Sequence, residues 1–406
     1  MLGRSVPRSA ENPRAFGHPT EAQELLLQAA LLDEDRARTA WGRWKELDTV
    51  VSTDQDSGRL FPLLSRRLLA MGAEDPDLPR LKGAYRHQWV TNQRRLHRAG
   101  EALAHLADAG IETMVLKGAA LAERHYGDAG LRLMYDVDIL VRAERAREAA
   151  SVLERHGWRP LLPRDLDDLM PVIQGTLFMD ELDDGIDLHW HAMWSPADED
   201  DFWSAAEPLV VGGAPTLCPC PADQLLHVCV HGVWSDGRPV RWVADAMILL
   251  RSEPDLDWAR VVDRARARAL TLPMLDALAY LRAAFDAPVP PGVLEALAGT
   301  RRGLRERLAH RAWGFRSTKL RALVTHWDRY KRQRALPPGP TKVPSFRAYV
   351  RRWGSMTWGT RSDSELVRAI VSRLIRRRRS GSTAGPQPGP LPAAASTPEP
   401  RVPQQR

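Results

Sequence analysis

The spacing of apolar residues along the chain first follows a helical period. Between residues 20 and 106 apolar positions recur as on one face of an α-helix, for example in TEAQELLLQAALL. Four side chains of that stretch share a face: Leu25, Leu26, Ala29 and Leu32. Gly110 then stands where a helix C-cap is expected. This pattern predicts a helical N-terminal region.

From residue 111 the pattern changes to short apolar runs of strand length. IETMVLKG, YDVDILV, Gly175–Met179 and DDGIDLHWHAMW are predicted strands. GAALAERHYGDAG between the first two is helical until it breaks at Gly127 and Gly130, and a charged helix, RAERAREAASVLERHG, follows the second. Strands that alternate with helices in this way indicate a mixed sheet with helices packed on it.

From Ala222 to about Leu374 the helical period returns, beginning with PADQLLHVCVHGVW and VRWVADAMILLRS. SDSELVRAIVSRLIRRRR is an amphipathic helix for which Ser362 and Glu365 could form a capping box. After Arg379 the chain has seven prolines and almost no bulky apolar residue, so we expect disorder.

We therefore predict an α+β fold, with a small mixed β-sheet core between helical N- and C-terminal regions and a disordered C-terminal tail. The length of 406 residues, 44% of them hydrophobic, predicts two or three domains with a sizeable core. The predicted segments are a disordered N-terminus (1–19), a helical N-terminal region (20–110), the core with the mixed sheet (111–195), a helical C-terminal region (196–330), a basic amphipathic helical segment (331–375) and a disordered Arg/Pro-rich tail (376–406).

The net charge of +7 is concentrated at the C-terminus. Residues 376–406 hold six arginines and one glutamate, so the other 375 residues carry only +2. The basic composition is therefore weak evidence for nucleic-acid binding. The sequence contains no apolar stretch of membrane-spanning length, no secretory signal and only three cysteines, and we predict a cytoplasmic protein without a disulfide framework.

Two aspartates in the second predicted strand need an explanation. Asp136 and Asp138 are two residues apart and share a face of the strand, and Asp187 and His189 share a face of another. Neighbouring carboxylates at an effective dielectric near 20 repel by roughly 4 kcal/mol at 4 Å. A hard divalent cation, Mg²⁺ or Mn²⁺, removes that repulsion, so Asp136, Asp138 and Asp187 are predicted metal ligands.

Cationic residues flank these predicted strands. Lys117 and Gly118 close the first strand at its turn into a helix, where backbone amides could approach a phosphate. Lys117 is one of six lysines in a chain with 52 arginines, which makes its place at this turn less easily ascribed to random surface charge. Arg132 lies four residues before Asp136 and could bind the same anion. We predict that all three residues bind a phosphate group.

VLKGAALAERHYGDAGLRLMYDVDILV followed by GIDLHW resembles the uncharacterised nucleotidyltransferase family of bacteria, within the DNA polymerase beta-type nucleotidyltransferase superfamily. The resemblance extends over roughly residues 20–330. It implies transfer of a nucleoside monophosphate from an NTP to an acceptor, with release of pyrophosphate. The metal ligands would be Asp136, Asp138 and Asp187, and Lys117-Gly118 would be the phosphate turn. The wider superfamily usually has Gly-Ser at that turn.

The acceptor is left open by the sequence: small molecules, peptides, proteins and RNA all suit such a site. We expect Asp187, helped by His189, to orient or deprotonate it. His189 could equally be a structural histidine beside the site. Tyr126 and Tyr135 are predicted packing residues, and the aspartates could instead be solvated acids at strand ends.

The sequence also allows other sites and functions. A zinc site could use Cys218, Cys220, His227, Cys229 and His231, but Cys229 falls on a different helix face from the two histidines, and packing explains it better. The chain could also be a catalytically inactive nucleotide-binding or scaffold protein. A third alternative is binding of a partner, nucleic acid or anionic membrane surface through the basic C-terminus.

Overall fold

The computed structural model describes residues 18–162, 165–197, 199–234, 239–313, 318–336 and 339–358, and residues 362, 364, 365 and 368. The predicted N-terminal disorder up to residue 17, most of the predicted amphipathic helix and the whole tail from 376 lie outside these residues. Among the described helices, none is both long and apolar enough to cross a membrane.

A mixed seven-stranded sheet lies at the centre of the described structure. Its strands are β1 Thr113–Leu116, β2 Asp136–Val141, β3 Arg159–Pro160, β4 Gly175–Met179, β5 Gly185–His189, β6 Glu207–Val211 and β7 Ala214–Cys218. They are ordered β3-β4-β5-β2-β1-β7-β6. β2 pairs with β5, and β1 with β7, in parallel; the other neighbours are antiparallel. The four predicted strands are β1, β2, β4 and β5.

Helices precede the sheet, connect its strands and follow it. The N-terminal helices are α1 Glu21–Leu31, α2 Glu34–Leu47, α3 Phe61–Ala70 and α4 Leu78–Asp108. Those between strands are α5 Lys117–Leu121, α6 Ala146–Arg155, α7 Leu166–Leu169 and α8 Asp200–Ser204. The later ones are α9 Pro221–Val233, α10 Pro239–Ser252, α11 Trp258–Ala267, α12 Thr271–Phe285, α13 Pro291–Ala298, α14 Leu304–Trp313, α15 Thr318–Ala335 and α16 Phe346–Trp358.

The two faces of the central strands are covered by different helices, because successive strand side chains point to opposite faces. Val137 and Ile139 of β2, with Ile186 of β5, pack in one core with α4 and α6. Leu140, on the opposite face of β2, belongs to a second core with α1, α9, α10 and α12. Asp136 and Asp138 alternate with Val137 and Ile139, so they share the Leu140 face and point towards the second set of helices.

The hairpin β6–β7 corrects the prediction that residues 196–330 are helical throughout. In Glu207–Val211 the first four residues alternate between partly buried and exposed and only Val211 is buried, so the apolar signal of this strand is weak. The hairpin turn is fixed by close packing: a Cβ on Gly100 of α4 would lie 2.4 Å from the backbone oxygen of Gly212, whose own φ is +57°. β3 is a two-residue strand that the sequence pattern did not indicate either.

Candidate active site

Strand register brings the predicted acidic residues together. β2 and β5 run in parallel with Asp138 opposite Asp187 and Asp136 opposite Gly185. On the other side of β2, the antiparallel β1 places Leu116 opposite Asp138, so Lys117 emerges beside that carboxylate. The convergence predicted for residues from three separate stretches is therefore present in the sheet.

The side chains of this cluster are joined by short polar contacts. Lys117 Nζ donates to Asp138 Oδ1 over 2.5 Å. His189 Nε2 lies 2.8 Å from Asp187 Oδ2 and 3.2 Å from Asp138 Oδ1. The other ring nitrogen, Nδ1, donates to the backbone oxygen of His191 over 3.1 Å. His189 is thus fully buried and is held at both nitrogens.

These contacts control the ionisation of the cluster. Burial acts to lower the pKa of His189, but the negative charge of Asp187 and the hydrogen bonds to the two carboxylates outweigh it and raise that pKa to about 9. Burial acts to raise the pKa of Asp138, but Lys117 and His189 bring it below its usual range. The pKa of Asp187 is lowered as well, since the attraction of His189 outweighs its burial. Two carboxylates are therefore balanced by two cations.

Asp136 differs from the other two acids. It is half-buried, and burial together with repulsion from Asp138 and Asp187 raises its pKa to about 6. Its carboxylate is repelled by the two neighbouring acids and forms no ion pair with any residue that the structure describes.

Asp138, Asp187 and His189 are also the one group of potential metal ligands among the described residues, with ligand atoms within 4.8 Å of one another. Paired carboxylate oxygens suit a hard divalent cation, and the Nε2 atom of His189 already contacts an oxygen of each acid. The acids of this cluster therefore fit such an ion, with His189 as their hydrogen-bond donor. Asp136 is outside this group but borders the same cavity, and its role as a ligand stays a prediction.

The turn from β1 into α5 has an unusual backbone. Lys117 adopts a φ of +45°, in the left-handed region that non-glycine residues rarely occupy. A Cβ on the next residue, Gly118, would lie 2.6 Å from Arg132 Nη1, so only glycine lets that guanidinium come so close. The turn therefore directs Lys117 towards Asp138 and accommodates Arg132 behind it.

Arg132 is buried and pairs with a residue that the sequence did not suggest. Its Nε and Nη2 donate to the two carboxylate oxygens of Asp245 in α10, each over 2.8 Å. Tyr126 is buried, as predicted, and its hydroxyl donates to the same carboxylate over 2.7 Å. Two of the five N–H donors of Arg132 are thus used to join the sheet to α10, and a direct contact with phosphate stays a prediction.

A cavity of about 700 Å³ opens above the cluster, within the size range of ligand-binding pockets. The predicted residues Lys117, Gly118, Arg132, Asp136, Asp138 and Asp187 all line it. Its walls come from elsewhere: Gln55 and Arg59 from the N-terminal region, and His227, His231, Arg241 and Trp242 from α9 and α10. We call this space the main cavity.

Two arginines on these walls were missed by the sequence analysis. Arg241 has no hydrogen bond or ion pair within the described part of the chain, and burial beside Arg132 and Arg59 lowers its pKa. Arg59 Nε lies 3.1 Å from Asp56 Oδ1, and the central carbon of its guanidinium lies 4.9 Å from the ring centre of Tyr135. Tyr135, predicted to pack, is instead 41% exposed and lines the main cavity. For Arg241 the sequence did contain a signal, because this arginine stands inside the apolar run VRWVADAMILL.

A smaller space of about 210 Å³ adjoins the main cavity, and we call it the side chamber. Lys117, Gln174 and His231 line both spaces. His189 lines the side chamber, together with Met193, Ser195 and three tryptophans, Trp194, Trp234 and Trp313. The candidate site therefore has a strongly charged compartment and an aromatic one.

The residues considered for zinc do not form a cluster among the described residues. Cys229 is fully buried in the apolar core, as the packing interpretation predicts, whereas His227 and His231 line the main cavity. Cys218 ends β7, and Cys220 is the N-cap of α9. Burial lowers the pKa of His227 well below its ordinary value, so this ring is neutral.

Comparison with known proteins adds to this geometry. No curated protein matches the chain. Among solved structures, the chain is similar to the antibiotic-resistance factor ANT(2'')-Ia, with 18% identity over 48% of this chain and 98% of that one and a TM-score of 0.33. A family model described as "Uncharacterised nucleotidyltransferase" matches residues 44–286. Because this match spans more than half of the 406 residues, the chain belongs to that nucleotidyltransferase family.

Proposed function

We propose that this protein transfers a nucleoside monophosphate from an NTP to an acceptor hydroxyl, with Mg²⁺ or Mn²⁺, in the manner of the DNA polymerase beta-type superfamily. The observation that carries the proposal is the parallel register of β2 and β5, which sets Asp138 opposite Asp187 beside Lys117. Family membership supports a nucleotidyl transfer in general.

In this proposal the three acids hold the metal. Asp138 and Asp187 are ionised and close together, and Asp136 adds a third carboxylate at the cavity edge. The bound ion would neutralise charge that develops on the phosphates and lower the pKa of the attacking hydroxyl. His189 fixes the orientation of Asp138 and Asp187 through its Nε2 contacts and is in turn held by the His191 carbonyl.

Cations of the main cavity would hold the triphosphate. Arg241 is the strongest candidate, because its guanidinium faces the cavity with no partner within the described chain. Arg59 and Lys117 add positive charge on the same side, and Gly118 and Arg132 support the turn beneath them. Buried, preorganised cations stabilise phosphate charge more strongly than solvated ones do.

The transfer step then follows. The acceptor oxygen attacks the α-phosphorus and forms a new P–O bond, while the bond to the β-phosphate oxygen breaks and pyrophosphate leaves. The hydroxyl proton passes to the carboxylate of Asp187, which the lowered pKa keeps ionised before the reaction. The products are the nucleotidylated acceptor and pyrophosphate.

Pyrophosphate release from each of the four NTPs tests the proposal, with Mg²⁺ present and a deproteinised cell extract as the source of acceptors. Asp138→Asn and Asp187→Asn should each lower the rate by more than about 100-fold, since even outer-shell partners of metal ligands are worth 10- to 100-fold. The matched control is Asp263→Asn, an exposed aspartate of α11.

The outcomes separate the alternatives. Unchanged pyrophosphate release in both site variants, with a rate above that of the reaction without protein, would overturn the proposed mechanism. Metal-dependent NTP binding without turnover in any extract would favour an inactive nucleotide-binding protein. Thermal stabilisation by each NTP, with and without Mg²⁺, reports that binding independently of the acceptor.

A further inference from the structure

The side chamber is placed where the second substrate of a transferase would enter. It shares Lys117, Gln174 and His231 with the main cavity, so a molecule inside it could present a hydroxyl at their boundary. The main cavity is more than three times larger and contains the arginines and the acids. If the nucleotide occupies the charged compartment, the aromatic compartment is left for the acceptor.

The walls of the side chamber are flat aromatic rings in fixed positions. Trp234 and Trp313 stack with ring centres 5.9 Å apart and planes 8° from parallel. Trp194 is held from behind by Arg329 of α15, whose guanidinium lies 4.6 Å from its ring centre and donates to its backbone oxygen. Indole faces bind flat, weakly polar ring surfaces, such as aromatic rings and the apolar faces of sugars.

Buried polar atoms in the chamber lack partners. Trp234 Nε1 and Ser195 Oγ are both inaccessible and have no hydrogen-bond partner within the described chain. An unsatisfied buried donor costs about 1–3 kcal/mol, so native proteins usually provide a partner. Both residues line the chamber, so ring oxygens of a ligand would pair with these groups once the two side chains turn towards it.

The charges around the chamber argue against an ionic occupant. Among its described lining residues there is no aspartate or glutamate that could pair with a cation. The two basic groups nearest the acids, Lys117 and His189, are already paired with Asp138 and Asp187, so an anion in the chamber would have no counter-charge of its own there. Burial of an unpaired charge is strongly unfavourable, which selects a neutral molecule.

We infer that the acceptor is an uncharged, ring-bearing small molecule that binds between Trp194, Trp234 and Trp313 and presents a ring hydroxyl beside Lys117. The inference rests on the proposed function, because it assigns the second substrate of that reaction. The shared chemistry is a neutral hydroxylated ring, and its source could be a sugar or an aromatic compound.

Calorimetric titration of the full chain tests this inference without turnover, in the presence of Mg²⁺ and α,β-methylene-ATP. Four probes separate ring type and charge: methyl β-glucoside, 4-hydroxybenzyl alcohol, glucosamine and glucuronate. We expect a neutral probe to bind at least about tenfold more tightly than either charged one. If methyl β-glucoside binds more tightly than 4-hydroxybenzyl alcohol, the ring is a sugar; if it binds more weakly, the ring is an aromatic compound.

Variants locate the binding. Trp234→Ala should weaken the neutral probe about tenfold, as expected when a stacked ring is lost. Trp234→Phe keeps a ring but removes the N–H, and should weaken binding about threefold. Trp89→Ala, an exposed tryptophan of α4, is the matched control and should change nothing.

Tighter binding of a charged probe, no binding of either neutral probe, or equal affinities in wild type and both Trp234 variants would each overturn the inference. Failure of the proposed function gives a different result: neither α,β-methylene-ATP nor any of the four NTPs then gives a Mg²⁺-dependent thermal shift. In that case the titrations are repeated without nucleotide, and the affinities for the probes are read by the same criteria.

Discussion

The floor and the walls of the main cavity are built in contrasting ways. The floor consists of Lys117, Asp136, Asp138 and Asp187, whose positions follow from the hydrogen-bond register of three adjacent strands. The walls consist of side chains on helices and loops far away in the chain, such as Arg59 and Arg241. The strand register sets which floor residues lie opposite each other, whereas the positions of the wall residues depend on how whole helices pack.

This difference suggests a division of labour. Residues of the floor are close enough to set one another's ionisation, as the raised pKa of Asp136 and the lowered pKa of Asp138 demonstrate. Arg241 on the wall stands without an ion pair among the described residues and is open to a ligand. Changes in the floor should therefore affect chemistry, and changes in the walls should affect binding.

The largest effect on stability is expected where floor and walls are joined. Asp245→Ala removes the carboxylate that accepts from Arg132 and Tyr126, and leaves a buried guanidinium unpaired. Loss of one partner of a buried ion pair costs about 3–5 kcal/mol in the free energy of unfolding. Urea denaturation measures it. Asp263→Ala is the exposed control and should stay within about 0.5 kcal/mol of wild type.

A loss below about 1 kcal/mol in Asp245→Ala would mean that the helical wall is held on the sheet by other contacts. The position of the wall would then be independent of the ion pair between Arg132 and Asp245.

A pH-dependent effect is expected at a second junction. His125 is buried between Ser252 of α10 and Gln224 of α9, and burial together with repulsion from Arg124 lowers its pKa to about 4. At a pH between about 4 and the ordinary pKa of 6.5, the unfolded chain binds more protons than the folded protein does. The stability contributed by neutral His125 is thus complete at pH 7 and is lost as the pH falls towards 4.

His125→Gln should flatten this dependence. Comparison of urea denaturation at pH 7 and pH 5 should give a loss that is about 2 kcal/mol larger in wild type than in the variant. Equal losses in the two proteins would show that His125 already accepts a proton in the folded state.

Substitution of a wall residue should produce the smallest of these effects, and it should affect only the binding of NTP. Arg241→Gln should raise the KM for NTP about tenfold, which corresponds to roughly 1.4 kcal/mol, with little change in kcat. Arg251→Gln, an exposed arginine of the same helix, is the matched control. A fall in kcat at unchanged KM would place Arg241 in the chemical step instead and remove the proposed division between floor and walls.

Much of the sheet could be predicted from the sequence. The four predicted strands are present, and the alternation of Asp136 and Asp138 with Val137 and Ile139 already placed both acids on one face. β3 and the hairpin β6–β7 were missed, since they are short or only partly buried and have little periodic signal. Arg132 was placed near the acids correctly, but its main partner, Asp245, lies 113 residues away.

The sequence by itself determined the local elements and the chemistry that they bring: strand faces, the D-x-D pair, the lysine–glycine turn and the basic composition. These features depend on residues that are close in the sequence, because the two-residue period of a strand already sets which side chains share a face. Tertiary structure decided which cations pair, which arginine stays open to the cavity and where the tryptophans meet. Those contacts arise between elements that are far apart along the chain, by 113 residues for Arg132 and Asp245, and helix packing rather than local spacing brings them together.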